Sequence, residues 1–190
     1  QKVDVVYTAL RAGGDMKKFR SVIKNRFVFP AIFGAQASSI AGYLGMPENI
    51  ADDLLEALWE KYTGLKRWQD QTMSFYYNRG YVETLTGRRH NYPLTRNQAI
   101  NMPVQGTAAE LVCDAMSRLS YLAASTGKWF LHPVLNVHDD LSFFIPEDEE
   151  VLSSAIDIII REMLTFAYHW VNVPLSVEVS IGKNWADLEP

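Results

Sequence analysis

An α+β fold is expected from this sequence, mostly helical with a small antiparallel sheet. Three observations point there. Apolar residues recur at helical spacing over long stretches, as Leu111, Ala115, Leu119 and Leu122 do. Glycine and proline separate these stretches from one another. Two short β-prone runs fold back on themselves, Tyr81–Leu85 onto Arg88–Tyr92 through Thr86-Gly87, and Val134–Ile145 around the paired carboxylates Asp139 and Asp140.

Each element follows from local chemistry. The opening Gln1–Gly14 ends in a Gly13-Gly14 loop, and Asp15 is a good N-cap for a helix running past Lys24. Pro30 lacks an N–H and its ring crowds the carbonyl of Arg26, so this helix must end or kink there. A short apolar helix is expected over about Gln36–Leu44. Pro47 at N1 opens another that runs to about Tyr62. Leu65–Asn78 reads as a helix closed by Arg79-Gly80. After the first hairpin, a long helix spans Thr95 to about Ser125, with Pro103 in its early turns. The carboxylate hairpin follows, its tip expected at Asp139 and Asp140. Asp148 to about Trp170 reads as a helix whose acidic first turn suits the macrodipole. The alternation of Pro174–Ser180 reads as a final strand.

At 190 residues, 48% hydrophobic and 21% charged, the chain has ordinary globular composition and can bury a sizeable core without disulfides. Its one cysteine, Cys113, lies in an apolar periodic run and reads as a buried core thiol in a reducing compartment. No apolar run reaches the roughly 18 residues of a membrane span. The net charge of −4 conceals an asymmetry. Residues 1–105 carry 14 Lys/Arg and 9 Asp/Glu, whereas residues 106–190 carry 4 and 13. A basic half suits phosphates and an acidic half suits metal ions. Uneven charge is common enough that it decides nothing alone.

Three constellations carry chemistry. In Leu135-Asn136-Val137-His138-Asp139-Asp140-Leu141, carboxylates stand at a strand–turn junction, where backbone positions are firmly held. A hard divalent ion such as Mg²⁺ takes one or two carboxylates plus substrate phosphates. An acidic β-turn explains the same residues. Lys17, Arg20 and Lys24 share one helical face, followed by Phe27, Phe29 and Phe33. Cations and an aromatic plane suit a nucleoside triphosphate, and equally a solvated basic face above core phenylalanines. Asn101 and Gln105, four apart, could touch bases or a nucleic-acid strand. Arg88 and Arg89 at a hairpin turn could contact phosphates. Gly106-Thr107-Ala108-Ala109 forms a small-residue face that admits a close neighbour.

Taken in order, these strings resemble the C-terminal part of family A DNA polymerases, the group of bacterial DNA polymerase I. The matching segments are Arg20-x-x-x-Lys24 with Phe29, Phe33 and Gly34; Gly80-Tyr-Val-Glu-Thr-Leu-Thr-Gly-Arg-Arg89; Ala99-Ile-Asn-Met-Pro-Val-Gln-Gly-Thr-Ala-Ala109; Val137-His-Asp-Asp-Leu141; and Val173-Pro-Leu-Ser-Val-Glu-Val179 with Gly182-Lys-Asn-Trp185. Order and spacing agree over about residues 15–187.

The resemblance implies a polymerase right-hand fold, with a mostly helical fingers subdomain over residues 1–92 and a C-terminal palm portion carrying a small antiparallel sheet over residues 93–190. It implies nucleotide transfer from dNTPs to a primer 3′ end on primer–template DNA, in a bacterial or phage cytoplasmic setting. By the same resemblance, Arg20 and Lys24 grip the incoming phosphates, Lys24 also protonates pyrophosphate, Phe29 lies against the sugar, and Phe33 lies near the base pair. Asn101, Gln105, Arg88 and Arg89 contact DNA, and His138 stands by the primer end. Asp139, with Asp140 where the family usually has Glu, belongs to a site for two Mg²⁺ ions.

Departures from the family pattern stand beside these matches. Lys24 to Phe29 spans five residues where the family has four, a difference that one π-bulge would absorb. Pro30 replaces a glycine, Phe33 a tyrosine, and Asn97 a frequent arginine, with Arg96 adjacent. The family's upstream Asp-x-Ser-x-x-Glu segment has no counterpart, since Asp4 and Asp15 lack its context. The second catalytic carboxylate is therefore expected from an upstream polypeptide that carries the thumb and first palm segment. The competing reading is a non-catalytic, polymerase-derived subunit that binds DNA or nucleotide.

Overall fold

The computed structural model describes residues 16–166 and 168–188. The expected Gly13-Gly14 loop and Asp15 cap lie outside them. The chain divides into two compact units, Gln1–Thr107 and Ala108–Pro190.

The first unit opens with helix α1 (Met16–Ile23), which passes into a π-helical turn, Lys24–Val28, and then α2 (Phe29–Ile32). Pro30 therefore distorts the helix without ending it. It sits in the first turn of α2, where a missing N–H costs least. Helices α3 (Ala37–Leu44), α4 (Glu48–Lys61) and α5 (Thr63–Arg79) follow. Pro47 is the N-cap of α4, not its N1 residue, and α5 begins two residues earlier than expected. Strands β1 (Tyr81–Glu83) and β2 (Arg89–Asn91) pair antiparallel, with Val82 opposite His90. The long helix α6 (Arg96–Thr126) contributes residues to both units. Its start is a capping box: Gln98 N–H donates to Thr95 Oγ1, and the Gln98 amide oxygen accepts from Thr95 N–H.

Two apolar clusters hold this unit. Ala31, Ile40, Ala51 and Leu55 form one, with Phe27 and Trp59 packed against it. Met73, Tyr76, Val82, Ala99 and Ile100 form the other, with Trp68 and Leu94 alongside. Gly106 does provide the close approach expected of the small-residue face. A Cβ there would lie 2.8 Å from the Thr84 methyl carbon. Next to it, Thr107 Oγ1 accepts from the Leu85 N–H at 2.9 Å and so ties α6 to the first hairpin.

The second unit holds the rest of α6, a short 3₁₀ turn (Trp129–Leu131), strands β3 (Leu135–Val137) and β4 (Asp140–Ser142), helix α7 (Glu149–Leu164) and a final 3₁₀ turn (Trp185–Leu188). Leu119, Ala123, Leu131, Ala155 and Ile159 form its core, flanked by Phe130, Leu141, Phe143 and Ile145. Asp148 caps α7 by accepting from the Val151 N–H at 2.9 Å, with Glu149 and Glu150 in the acidic first turn.

Three expectations fail in this unit. The α7 helix stops at Leu164, six residues before Trp170, because the β-branched and aromatic residues that follow are poorer helix formers. Pro174–Ser180 is irregular, since no strand among the described residues runs beside it and a strand needs a partner. The small antiparallel sheet expected to carry the carboxylate hairpin is, by contrast, present as β3–β4. Cys113 is exposed, because it lies two residues and so more than half a turn from buried Ala115 on α6. Among the described residues, no helix is long and apolar enough to cross a membrane.

Candidate nucleotide and metal sites

In the first unit, the π turn decides what the basic helix presents. The Phe29 N–H donates to the Lys24 carbonyl, five residues back, in place of the ordinary four. Residues five apart thereby come onto one face. The Lys24 ammonium lies 5.1 Å from the centroid of the Phe29 ring, and the Phe29 and Phe33 rings are 6.3 Å apart. Lys24 and Arg20 are exposed, Phe29 remains 42% exposed, and Phe33 is half-buried. Phe27 faces the other way and packs against the Ala31 cluster. A cation beside an open aromatic ring, with further rings behind it, can hold a polyanion attached to a flat or puckered ring system.

The end of α2 is closed by a Schellman motif. Gly34 N–H donates to Ala31 O at 3.1 Å and Ala35 N–H to Pro30 O at 2.8 Å. Gly34 has φ +93°, and a Cβ there would lie 2.7 Å from Ile100 Cδ1. The same residue therefore ends the helix and meets the start of α6. Asn101 and Gln105 are joined through Asn101 Nδ2, which donates to Gln105 Oε1 at 3.0 Å. Arg89 is tied inside the hairpin. Its Nε donates to Glu83 at 2.8 Å and its guanidinium lies 4.6 Å from the Tyr81 ring. The Glu83 hydrogen bond, with Tyr81 adding to it, pushes the Arg89 pKa upward. Arg88 is exposed at the turn, and its N–H donates to Thr84 Oγ1.

In the second unit the hairpin register is Leu135↔Ser142, Asn136↔Leu141 and Val137↔Asp140. The two-residue tip is thus His138-Asp139, one residue earlier than expected, and Asp140 opens β4. The reason is backbone chirality. The first position of such a turn needs positive φ, and His138 takes it at φ 59°. His is among the residues that enter this region more readily than most. Asn136, an unforeseen participant, holds the tip from inside: its Nδ2 donates to His138 O at 3.0 Å and to Asp140 O at 3.2 Å. An amide in an otherwise apolar β run was the available signal.

His138, Asp139 and Asp140 are all exposed. Among the described residues, no three His, Cys, Asp or Glu side chains gather into a metal-holding group. The donor set still fits Mg²⁺ chemistry: two adjacent carboxylates, both open to solvent, are what that ion uses when substrate phosphates complete its shell.

The match to known proteins now has a geometry to attach to. The model of DNA polymerase family A matches residues 13–187. This chain belongs to DNA polymerase family A. The DNA polymerase I of Chloroflexus aurantiacus is 34% identical over 184 residues, covering 92% of this chain and 19% of that protein. The thermostable DNA polymerase I of Thermus filiformis is 33% identical over 84% of this chain and 20% of its own length. The chain thus spans about a fifth of the curated family A relatives it matches. A solved structure, the POL domain of Pol1 from M. smegmatis in complex with DNA primer-template and dNTP, shares the fold. Its TM-score is 0.68 at 22% identity, covering 77% of this chain and 27% of that one.

Proposed function

We propose that this chain is the C-terminal fingers and palm portion of a template-directed DNA polymerase that adds nucleotides from dNTPs to a primer 3′ end. The fingers portion is residues 1–92 and the palm portion 93–190. The observation that carries the proposal is the π turn, which sets the Lys24 ammonium 5.1 Å from the Phe29 ring in a chain of this family. The extra residue between them, otherwise out of register, is absorbed by the i→i−5 bond.

In this reading Arg20 and Lys24 neutralise the triphosphate, and Lys24 delivers a proton to the departing pyrophosphate. Phe29 rests on the sugar and bars it from shifting, while Phe33 borders the new base pair. Asn101 and Gln105 hold the nascent duplex, with Arg88 and Arg89 on phosphates. His138 orients the incoming phosphates at the primer end. Asp139, helped by Asp140, would hold Mg²⁺, which when bound stabilises the attacking and leaving oxygens of an in-line displacement. The second carboxylate of that site comes from an upstream polypeptide, because no Asp-x-Ser-x-x-Glu segment stands among the 190 residues.

Primer extension tests this directly. The chain alone is expected to leave a primer unextended, and adding the upstream polypeptide is expected to give Mg²⁺-dependent synthesis. Template-directed extension by the pure chain alone would overturn the need for a second carboxylate. No extension in the combined sample would overturn the polymerase reading.

A further inference from the structure

The short helix α2 has unusual support. Pro30 offers no N–H, so the Arg26 carbonyl loses its ordinary helical donor, and the π turn has already broken the i→i−4 ladder on that side. At the other end the Schellman motif satisfies Pro30 O and one lone pair of Ala31 O. The Ile32 carbonyl and the second lone pair of Ala31 O remain. Gln69, in the middle of α5, supplies both. Its Nε2 donates to Ala31 O at 2.9 Å and to Ile32 O at 2.8 Å. The residue is 2% exposed. A buried amide that spends both N–H groups on two helix-end carbonyls fixes the rotation of that end, because turning α2 breaks one bond or the other.

We infer that Gln69 is a positioning residue for nucleotide selection: it fixes the rotation of α2 and so the placement of the Phe29 and Phe33 rings against Lys24. The inference rests on the reading of this helix as the nucleotide grip. Gln69 touches no substrate itself. It acts through the Ala31 and Ile32 carbonyls, the two that immediately precede Phe33, the C-cap residue of α2.

The test replaces Gln69 in the polymerase assembled from this chain and its upstream polypeptide. Gln69→Met keeps length and removes both donors. Its KM for a correct dNTP is expected to rise about tenfold, with kcat changed less than about twofold and primer–template Kd unchanged. In a Lys24→Ala background the same substitution is expected to add less than about twofold, since the rings it places then have no cation to face. Should Gln69→Met not fold, Gln69→Asn carries the same test, its amide being one methylene too short to reach both carbonyls. An unchanged KM, or an effect that adds in full to that of Lys24→Ala, would overturn the positioning role. If Lys24→Ala itself leaves dNTP use intact, the nucleotide-grip reading falls, and this inference with it.

Discussion

The basic helix of the first unit and the acidic hairpin of the second reach their geometry by opposite means. The helix segment Lys24–Phe33 departs from ideal backbone and is corrected from outside: the Ala31 cluster packs one face, Gln69 clamps its end, and Ile100 closes on Gly34. The hairpin is packed on its second strand alone, where Leu141 borders the core of its unit. Every residue of β3 and of the His138-Asp139 tip is exposed, and its brace, Asn136, comes from within the hairpin itself. A surface that presents several side chains at once is held by tertiary packing. A pair of carboxylates needs only a turn of fixed register. Mutations near the helix should therefore act through remote supports, and mutations at the hairpin should act locally.

The largest expected effect is at the hairpin. In the assembled polymerase, Asp139→Asn is expected to abolish turnover while leaving duplex binding near normal, because under the proposed function it removes a ligand charge at the chemical step alone. Asp140→Asn, in the strand rather than the turn, is expected to be milder. Single-turnover incorporation beside a duplex-binding titration checks both, and equal small losses would make the hairpin purely structural.

Lys24→Ala comes next. A charge-assisted contact to a triphosphate contributes about 1.5–3 kcal/mol, so roughly a ten- to hundred-fold loss in kcat/KM for dNTP is expected. Lys17→Ala, on the same face of the helix, should cost far less. Equal losses would erase the distinction between a specific grip and a basic surface.

Asn136→Ala sharpens the claim that the hairpin braces itself. Two hydrogen bonds to the carbonyls flanking Asp139 are lost, at about 1 kcal/mol each, and a five- to thirty-fold fall in kcat is expected with KM for dNTP little changed. A KM effect with constant kcat would mean that the hairpin takes part in nucleotide binding instead.

The smallest effect on ordinary synthesis belongs to Phe29→Tyr. It is expected to ease incorporation of dideoxynucleotides in competition with normal ones, leaving normal turnover nearly unchanged. Phe27→Tyr should not do so, because Phe27 packs against the Ala31 cluster while Phe29 stands open beside Lys24. Relaxed selection from Phe27→Tyr would reverse the two assignments.

Much of this was legible in the sequence. Helix periodicity, proline and glycine placed α3 to α6 within a few residues, and the five-residue spacing from Lys24 to Phe29 called for the π turn that is present. Expectations failed where a segment depends on something other than itself. The alternation of Pro174–Ser180 marks a face for pairing, yet a strand exists only beside another strand. The hairpin tip shifted by one residue because positive φ at His138, not the acidity of Asp139 and Asp140, sets the turn.

Local chemistry alone therefore determined the helical majority, the two hairpins, the basic and acidic halves, and the residues belonging to the family pattern, since each depends on side chains near in sequence. Tertiary structure alone decided that Phe27 packs against the Ala31 cluster and that Gln69 reaches 37 and 38 residues back to close the end of α2. No local pattern marks Gln69 as different from any other polar residue in a helix. Its role exists only because packing brings α5 against the Ile32 carbonyl, which the Schellman motif leaves unfilled, and the Ala31 carbonyl, which that motif fills only in part, and an unmet carbonyl in a buried place must find a donor.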